Sequence, residues 1–217
     1  VCSSDLTGLV GRELVPHLLA AGHTLTVVSR QQRQIAGVSC VQVDPSQPES
    51  WEAGSALQQA LDQAEGVVNL AGEPIAEQRW TPSHLKVLNR SRIDTTRHLV
   101  AAINASPTPP QVLVSASAVG FYGTSETACF NEDSPAGADV LGTLCAQWEA
   151  AAQEVKPSTR LVITRIGIVL AADGGALGKM LPIFRTGFGG PIGTGQQWMS
   201  WIARTDLCGL IATALTD

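Results

Sequence analysis

The 217-residue chain is poor in the side chains that most often announce a reaction: it has one tyrosine, two methionines and four histidines. Its five cysteines, Cys2, Cys40, Cys129, Cys145 and Cys208, are widely separated and show neither C-x-x-C nor Cys/His ligand spacing. That pattern excludes a recognisable zinc site and a vicinal redox pair, and it leads us to expect free thiols in a reducing, cytoplasmic compartment. His17, His23, His84 and His98 lack i,i+4 pairing and a nearby acidic motif, so no metal is expected. A net charge of -5 and a pI near 5.3 leave no basic field for nucleic acid or an anionic membrane. No apolar run reaches the roughly 20 residues needed to cross a bilayer, so a soluble protein is expected.

What is present is rhythm. Short β-branched runs at 24–29, 38–44, 66–72, 111–117 and 160–170 alternate with helical patterns near 10–21, 50–63, 82–104 and 142–155. Nearly continuous apolar strands separated by helices predict a doubly wound parallel α/β sheet covered on both faces. Ligands of such sheets lie beyond the carboxyl ends of the strands. That rule selects Gly8, Ser29-Arg30, Asp44, Asn69-Leu70-Ala71-Gly72, Ser115, Ser117, Arg165 and Gly167.

The opening supplies half of a phosphate-binding turn. Thr7-Gly8-Leu9-Val10-Gly11 matches its second and third glycines, with a helix behind it, but the first glycine falls on Asp5 and no apolar strand precedes it. Residues 1–6, "VCSSDL", are therefore expected to be a non-native leader; one reading frame of a common sequencing-library adapter encodes the same peptide. The expected organisation is a nucleotide-binding domain over 7–172, its first strand missing, then the truncated start of a smaller substrate-covering region over 173–217. The glycine- and tryptophan-rich stretch 187–202, with Trp198 and Trp201, lacks the βα rhythm and suits a lid or a packed loop.

After the second strand of a complete sheet of this kind, an acid usually reads the adenosine ribose. Here Ser29-Arg30 stands in that place, and an arginine suits a 2′-phosphate. Asp44 either accepts from the adenine amino group or shapes the turn "VDPSQP". Arg90, Asp94 and Arg97 fall on one helical stripe, with Arg90–Asp94 and Asp94–Arg97 as intrahelical pairs, and a solvated face is the simplest account.

"NLAGEPIAEQRW", "NRSRIDTTRHLV", "SASAVGFYG", "WEAAA", "TRIGIVLAADGGALGKMLPIFRTGFGG" and "GTGQQWMSWIARTDL" follow one another in an order that resembles the epimerase-family branch of the atypical short-chain dehydrogenase/reductases. The resemblance runs from about Thr7 to Leu215. It implies a Rossmann sheet holding NADP(H), a small-molecule substrate, no nucleic acid and no membrane, with a homodimer left open. Chemistry on this fold normally uses a Ser, a Tyr and a Lys four residues after the Tyr. Ser117 fits the first place. With Glu149 as the acid that commonly follows, Lys falls on Cys145 and Tyr on Leu141, neither of which moves a proton in that role. The only tyrosine is Tyr122. Ser117, Tyr122 and Glu73 are thus the expected catalytic residues, Arg79, Trp80, Arg92 and Trp198 the expected substrate contacts, and an NADP(H)-dependent oxidoreductase or epimerase-like enzyme the expected function. A nucleotide-binding protein without turnover is the alternative.

Overall fold

The structure, a computed structural model, describes residues 8–217. The expectations for residues 1–6 and for Thr7 fall outside them. Helices and strands alternate as α1 (Gly11–Ala20), β1 (Leu25–Ser29), β2 (Val38–Gln42), α2 (Ala56–Asp62), β3 (Gly66–Asn69), α3 (Pro82–Asn89), α4 (Thr95–Ala105), β4 (Val112–Ala118), α5 (Val140–Gln153), β5 (Arg160–Ile166), β6 (Ile168–Ala171), α6 (Gly175–Arg185), β7 (Trp201–Ala203) and α7 (Arg204–Thr216). Every pairing between these strands is parallel: β1 with β2, β4 between β3 and β5, and β6 with β7.

Strand alternation sends neighbouring side chains to opposite layers. Val68 and Val114 join Leu14, Val15 and Leu18 of α1 and Leu207, Cys208 and Ile211 of α7 on one face. Val67 and Leu113 meet Leu61, Leu99, Val100 and Ile103 of α2 and α4 on the other, where Leu144, Trp148 and Ala151 of α5 extend the layer. Each fully buried Leu or Val contributes roughly 1.5–3 kcal/mol. The result is the doubly wound α/β sheet expected from the sequence.

Three elements differ from the periodicity. The helix expected from residue 50 begins only at Ala56, because Gly54 turns the chain at φ +81° and Ser55 caps the next turn, accepting from Gln58 N at 3.1 Å. The single helix expected over 82–104 is interrupted by a π turn, Arg90–Asp94. The strand expected over 160–170 breaks at Gly167, where an added Cβ would lie 2.9 Å from the Ser200 carbonyl oxygen. The same carbonyl accepts from Ile168 N at 2.9 Å and draws β6 into a second, two-stranded sheet with β7. Residues 186–200 carry no helix or strand, and Trp198 there is 88% exposed. No described helix is long and apolar enough to cross a membrane.

Arg204 ties the start of α1 to this region. It pairs with Glu13 and with Asp173 at 2.9 Å. The Thr205 hydroxyl, then the Arg204 guanidinium, hold the Glu13 carboxyl below the ordinary carboxylate range.

Candidate nucleotide-binding and proton-transfer site

The turns that follow β1, β2 and β3 meet the π turn around a cavity of about 220 Å³ lined by Arg30, Asp44, Ser46, Gly72, Glu73 and Arg90, among others. Its floor is fixed from below. Buried Asn69, the last residue of β3, donates to Thr96 Oγ1 at 2.9 Å and accepts from Ala71 N at 3.2 Å, while Trp148 Nε1 donates to the same hydroxyl at 2.9 Å. The next residues are clamped by the π turn. Ser91 Oγ accepts from Glu73 N at 3.0 Å, and Arg92 Nη2 donates to Glu73 O at 2.8 Å. Arg92 also lies over the Trp148 ring, 5.3 Å from its centroid. Gly72 is glycine for a steric reason: a Cβ there would come within 2.9 Å of the Arg92 guanidinium carbon.

These contacts bear on two expectations. Arg92, expected on the substrate side, braces the loop after β3. Arg90 does not pair with Asp94; it reaches Asp44 Oδ2 at 3.6 Å and Ser46 Oγ at 3.1 Å, while Asp94 pairs with Arg97 at 3.9 Å. The π turn shifts the helical register, so the i,i+4 geometry assumed for Arg90 no longer holds. Asp44 shapes its own turn, accepting from Ser46 N at 3.0 Å and Ser46 Oγ at 2.7 Å, and still lines the cavity. Arg30 stands there too, paired with Glu73 Oε2 at 3.3 Å. Ser29 Oγ accepts from Gln31 N at 3.2 Å, closing the turn that presents Arg30.

A second polar group forms where β4, β5 and α5 come together. Ser117 Oγ donates to Glu149 Oε1 at 2.6 Å, and Arg165 grips the same carboxylate through Nε and Nη2, both at 2.9 Å. Arg165 Nη1 donates to the Tyr122 hydroxyl and to Glu132 O, each at 3.0 Å. The guanidinium also sits 3.6 Å from the Phe121 ring centroid, and Tyr122 stacks on Phe130 at 5.2 Å. Glu149 and Ser117 are buried; Tyr122 is half-buried. The Glu149 hydrogen bonds, foremost, push the Arg165 guanidinium still higher above the neutral range.

The structure brings the expected catalytic residues Ser117 and Tyr122 into one network with Glu149, expected only as a mark of register, and Arg165, expected at the cofactor. In the structure Nε and both terminal nitrogens of Arg165 are engaged by Glu149, Tyr122 and Glu132. Ser117, expected to polarise a substrate oxygen, directs its O–H to Glu149 in this arrangement. Glu73 has its partners at Arg30, Ser91 and Arg92, none of which belongs to the Tyr122 group. Leu141, Cys145 and Glu149 recur every four residues on α5, and Leu141 lies against Gly120 at the start of the "FYG" turn. Burial, foremost, pushes the Cys145 thiol up, away from reactivity. The signal that could have found the network is the pairing of one buried-face acid, Glu149, with one arginine at a strand end.

The remaining expected residues are dispersed. Gly8, Leu9 and Val10 lead into α1 at Gly11, with Val10 at the N-cap and no side-chain cap on that end. Leu9 packs beside Gly174 and Gly175. Leu70 and Ala71 form the loop floor. Ser115 Oγ is buried without a hydrogen-bond partner among the described residues. Gly167, expected at the cofactor, is required by the Ser200 carbonyl. Arg79 is exposed, and the Trp80 indole N–H, expected at the substrate, donates to Ile75 O at 2.8 Å. Trp198 stands out in solvent on the 186–200 segment. Among the described residues no group of three or more His, Cys, Asp or Glu could hold a metal ion.

A parallel sheet wound on both faces, with glycine-led turns and an arginine-lined cavity beyond its strand ends, defines a Rossmann-type dinucleotide-binding protein. The chain belongs to the NAD-dependent epimerase/dehydratase family, whose model matches residues 6–217. It is 44% identical over 219 residues to the chloroplastic epimerase family protein SDR39U1 homologue of Arabidopsis thaliana, covering 100% of this chain and 62% of that one. The crystal structure of human epimerase family protein SDR39U1 (isoform 2) with NADPH superposes with a TM-score of 0.86 at 38% identity, over 99% of this chain and 69% of that chain. A nucleoside-diphosphate sugar epimerase from Corynebacterium glutamicum gives a TM-score of 0.79 at 32% identity, over 100% of this chain and 43% of that chain.

Proposed function

We propose that the protein binds NADP(H), with the adenosine end in the Arg30–Arg90 cavity, and acts as an NADP(H)-dependent oxidoreductase or epimerase-like enzyme on a small polar substrate. The observation that carries the reading is two guanidiniums lining one cavity beyond the strand ends, a donor set that suits a ribose 2′-phosphate. The NADPH held by the human relative agrees with it. Residues 8–11 would approach the pyrophosphate, and 70–72 the adenosine ribose, through main chain. Bound cofactor supplies or accepts hydride. The chain's own part is the proton, and Tyr122 is the residue for it: its hydroxyl accepts from Arg165, which leaves its own O–H to donate.

Binding without turnover is the second reading, and the bond from Ser117 to Glu149 favours it, because that proton is withheld from a substrate. Titration with NADPH and NADH, followed by NADPH oxidation against a panel of small carbonyl compounds, separates the two. The enzyme reading expects tighter binding of NADPH, turnover with some member of the panel, and a loss of roughly 10²-fold or more in Tyr122→Phe with NADPH binding unchanged. Equal affinity for both cofactors overturns the 2′-phosphate assignment. Binding with no turnover across the panel supports the second reading. We further assign nucleotide binding to residues 7–172 and substrate covering to 173–217. A cytoplasmic location is our reading from the scattered thiols; the chloroplastic relative makes organelle fractionation the test.

A further inference from the structure

We propose that Glu73 sets the cofactor preference of this site by competing with the ribose 2′-phosphate for Arg30. The inference rests on the reading that the cavity takes the adenosine end of NADP(H). The Arg30 side chain is 57% exposed and its guanidinium is held at 3.3 Å by Glu73 Oε2. Glu73 itself is anchored, because its N–H goes to Ser91 Oγ at 3.0 Å and its carbonyl accepts from Arg92 at 2.8 Å. The main chain of Glu73 is therefore fixed at the cavity, and its carboxylate can leave Arg30 only by turning about its own side-chain bonds. The second cation is matched in the same way, Arg90 by Asp44 at 3.6 Å. Two guanidiniums and two carboxylates line the cavity, and its formal charge is close to zero.

A 2′-phosphate docking on Arg30 must replace the Glu73 carboxylate as its partner. It then carries nearly two negative charges beside a third, whose main chain is held at the cavity rim. One charge against two at about 6 Å in a solvent-like dielectric is a factor of about ten in affinity, and salt at 0.15 M reduces it to roughly threefold to tenfold. NADH, with a 2′-hydroxyl, meets neither the exchange nor the repulsion. Glu73 thus lowers a preference that Arg30 alone would make larger.

The test is fluorescence or calorimetric titration of the parent and of Glu73→Gln with NADPH, NADH, 2′,5′-ADP and 5′-AMP. Glu73→Gln is expected to tighten NADPH and 2′,5′-ADP threefold to tenfold and to change NADH and 5′-AMP less than twofold, with the gain shrinking at 0.5 M salt. Glu73→Ala should move in the same direction, which separates loss of charge from any effect peculiar to the glutamine. An unchanged NADPH/NADH ratio, or equal weakening of both, overturns the inference and makes Glu73 a prop for its loop. A parent that binds neither NADPH nor 2′,5′-ADP removes the cofactor reading first and this inference with it, an outcome distinct from a parent that binds NADPH and a variant that matches it.

Discussion

Glu149→Gln tests whether the buried network under the Tyr122 turn is held by charge. The substitution keeps the shape of the side chain and an acceptor for Ser117 but removes the negative charge that Arg165 grips. Two charge-assisted hydrogen bonds at 2.9 Å are lost or weakened, and such bonds contribute about 1.5–3 kcal/mol each when buried. Arg165 keeps 20% of its side chain exposed against 5% for Glu149, so water recovers part of the guanidinium's loss, and the new amide still accepts one of the two bonds. A net cost of about 2–3 kcal/mol follows. For a chain of this length that lowers Tm by about 5–10 °C, readable by circular dichroism or intrinsic fluorescence from the tryptophans. Arg165→Met should cost at least as much, because it leaves the nearly buried carboxylate without its cation. The double variant Glu149→Gln with Arg165→Met should cost less than the sum of these two singles, with a coupling of at least about 1.5 kcal/mol. A Glu149→Gln variant within about 0.5 kcal/mol of the parent, or strictly additive singles, would refute the view that this pair organises the turn.

Two further outcomes are expected. The Thr205 hydroxyl and Arg204 hold the Glu13 carboxyl low, so its stabilising contribution is complete above the ordinary glutamate pKa and is lost as pH falls through the lower folded value; Tm measured from pH 6 to pH 3 should fall more steeply in the parent than in Glu13→Gln, and parallel curves would contradict the assignment. Among the described cysteines, exposed Cys40 and Cys129 should be alkylated by iodoacetamide at pH 8, whereas Cys145, raised by burial, and Cys208, pushed up by burial to about 11, should stay unmodified by mass spectrometry; rapid labelling of Cys145 would reopen a thiol role at the site.

The sequence by itself determined the layered sheet. Apolar runs alternating with helical stripes can be buried in only a few ways, and the clusters around Val67 and Val68 follow from strand alternation alone. It also shows that the one tyrosine, Tyr122, is followed four positions on by Glu126, so these 217 residues hold no Tyr-x-x-x-Lys run. Strand-end positions such as Arg30, Asp44 and Ser117 were legible for the same reason: the end of a strand is a local property.

Only the tertiary structure decided which of those residues face one another. Arg90 looked like part of a solvated stripe until the π turn carried it to Asp44, 46 positions away in the chain. Glu149 was only a mark of spacing until α5 brought it against Ser117, 32 positions away, and Arg165, 16 away. Gly167 read as a cofactor glycine until the Ser200 carbonyl occupied the space its side chain would need. Periodicity reports how a segment meets the core, because burial acts through the local pattern of apolar side chains. It carries no information about which distant donor satisfies a given carboxylate, because hydrogen bonds and ion pairs depend on distances of about 3–4 Å between groups that the chain brings together only when it closes.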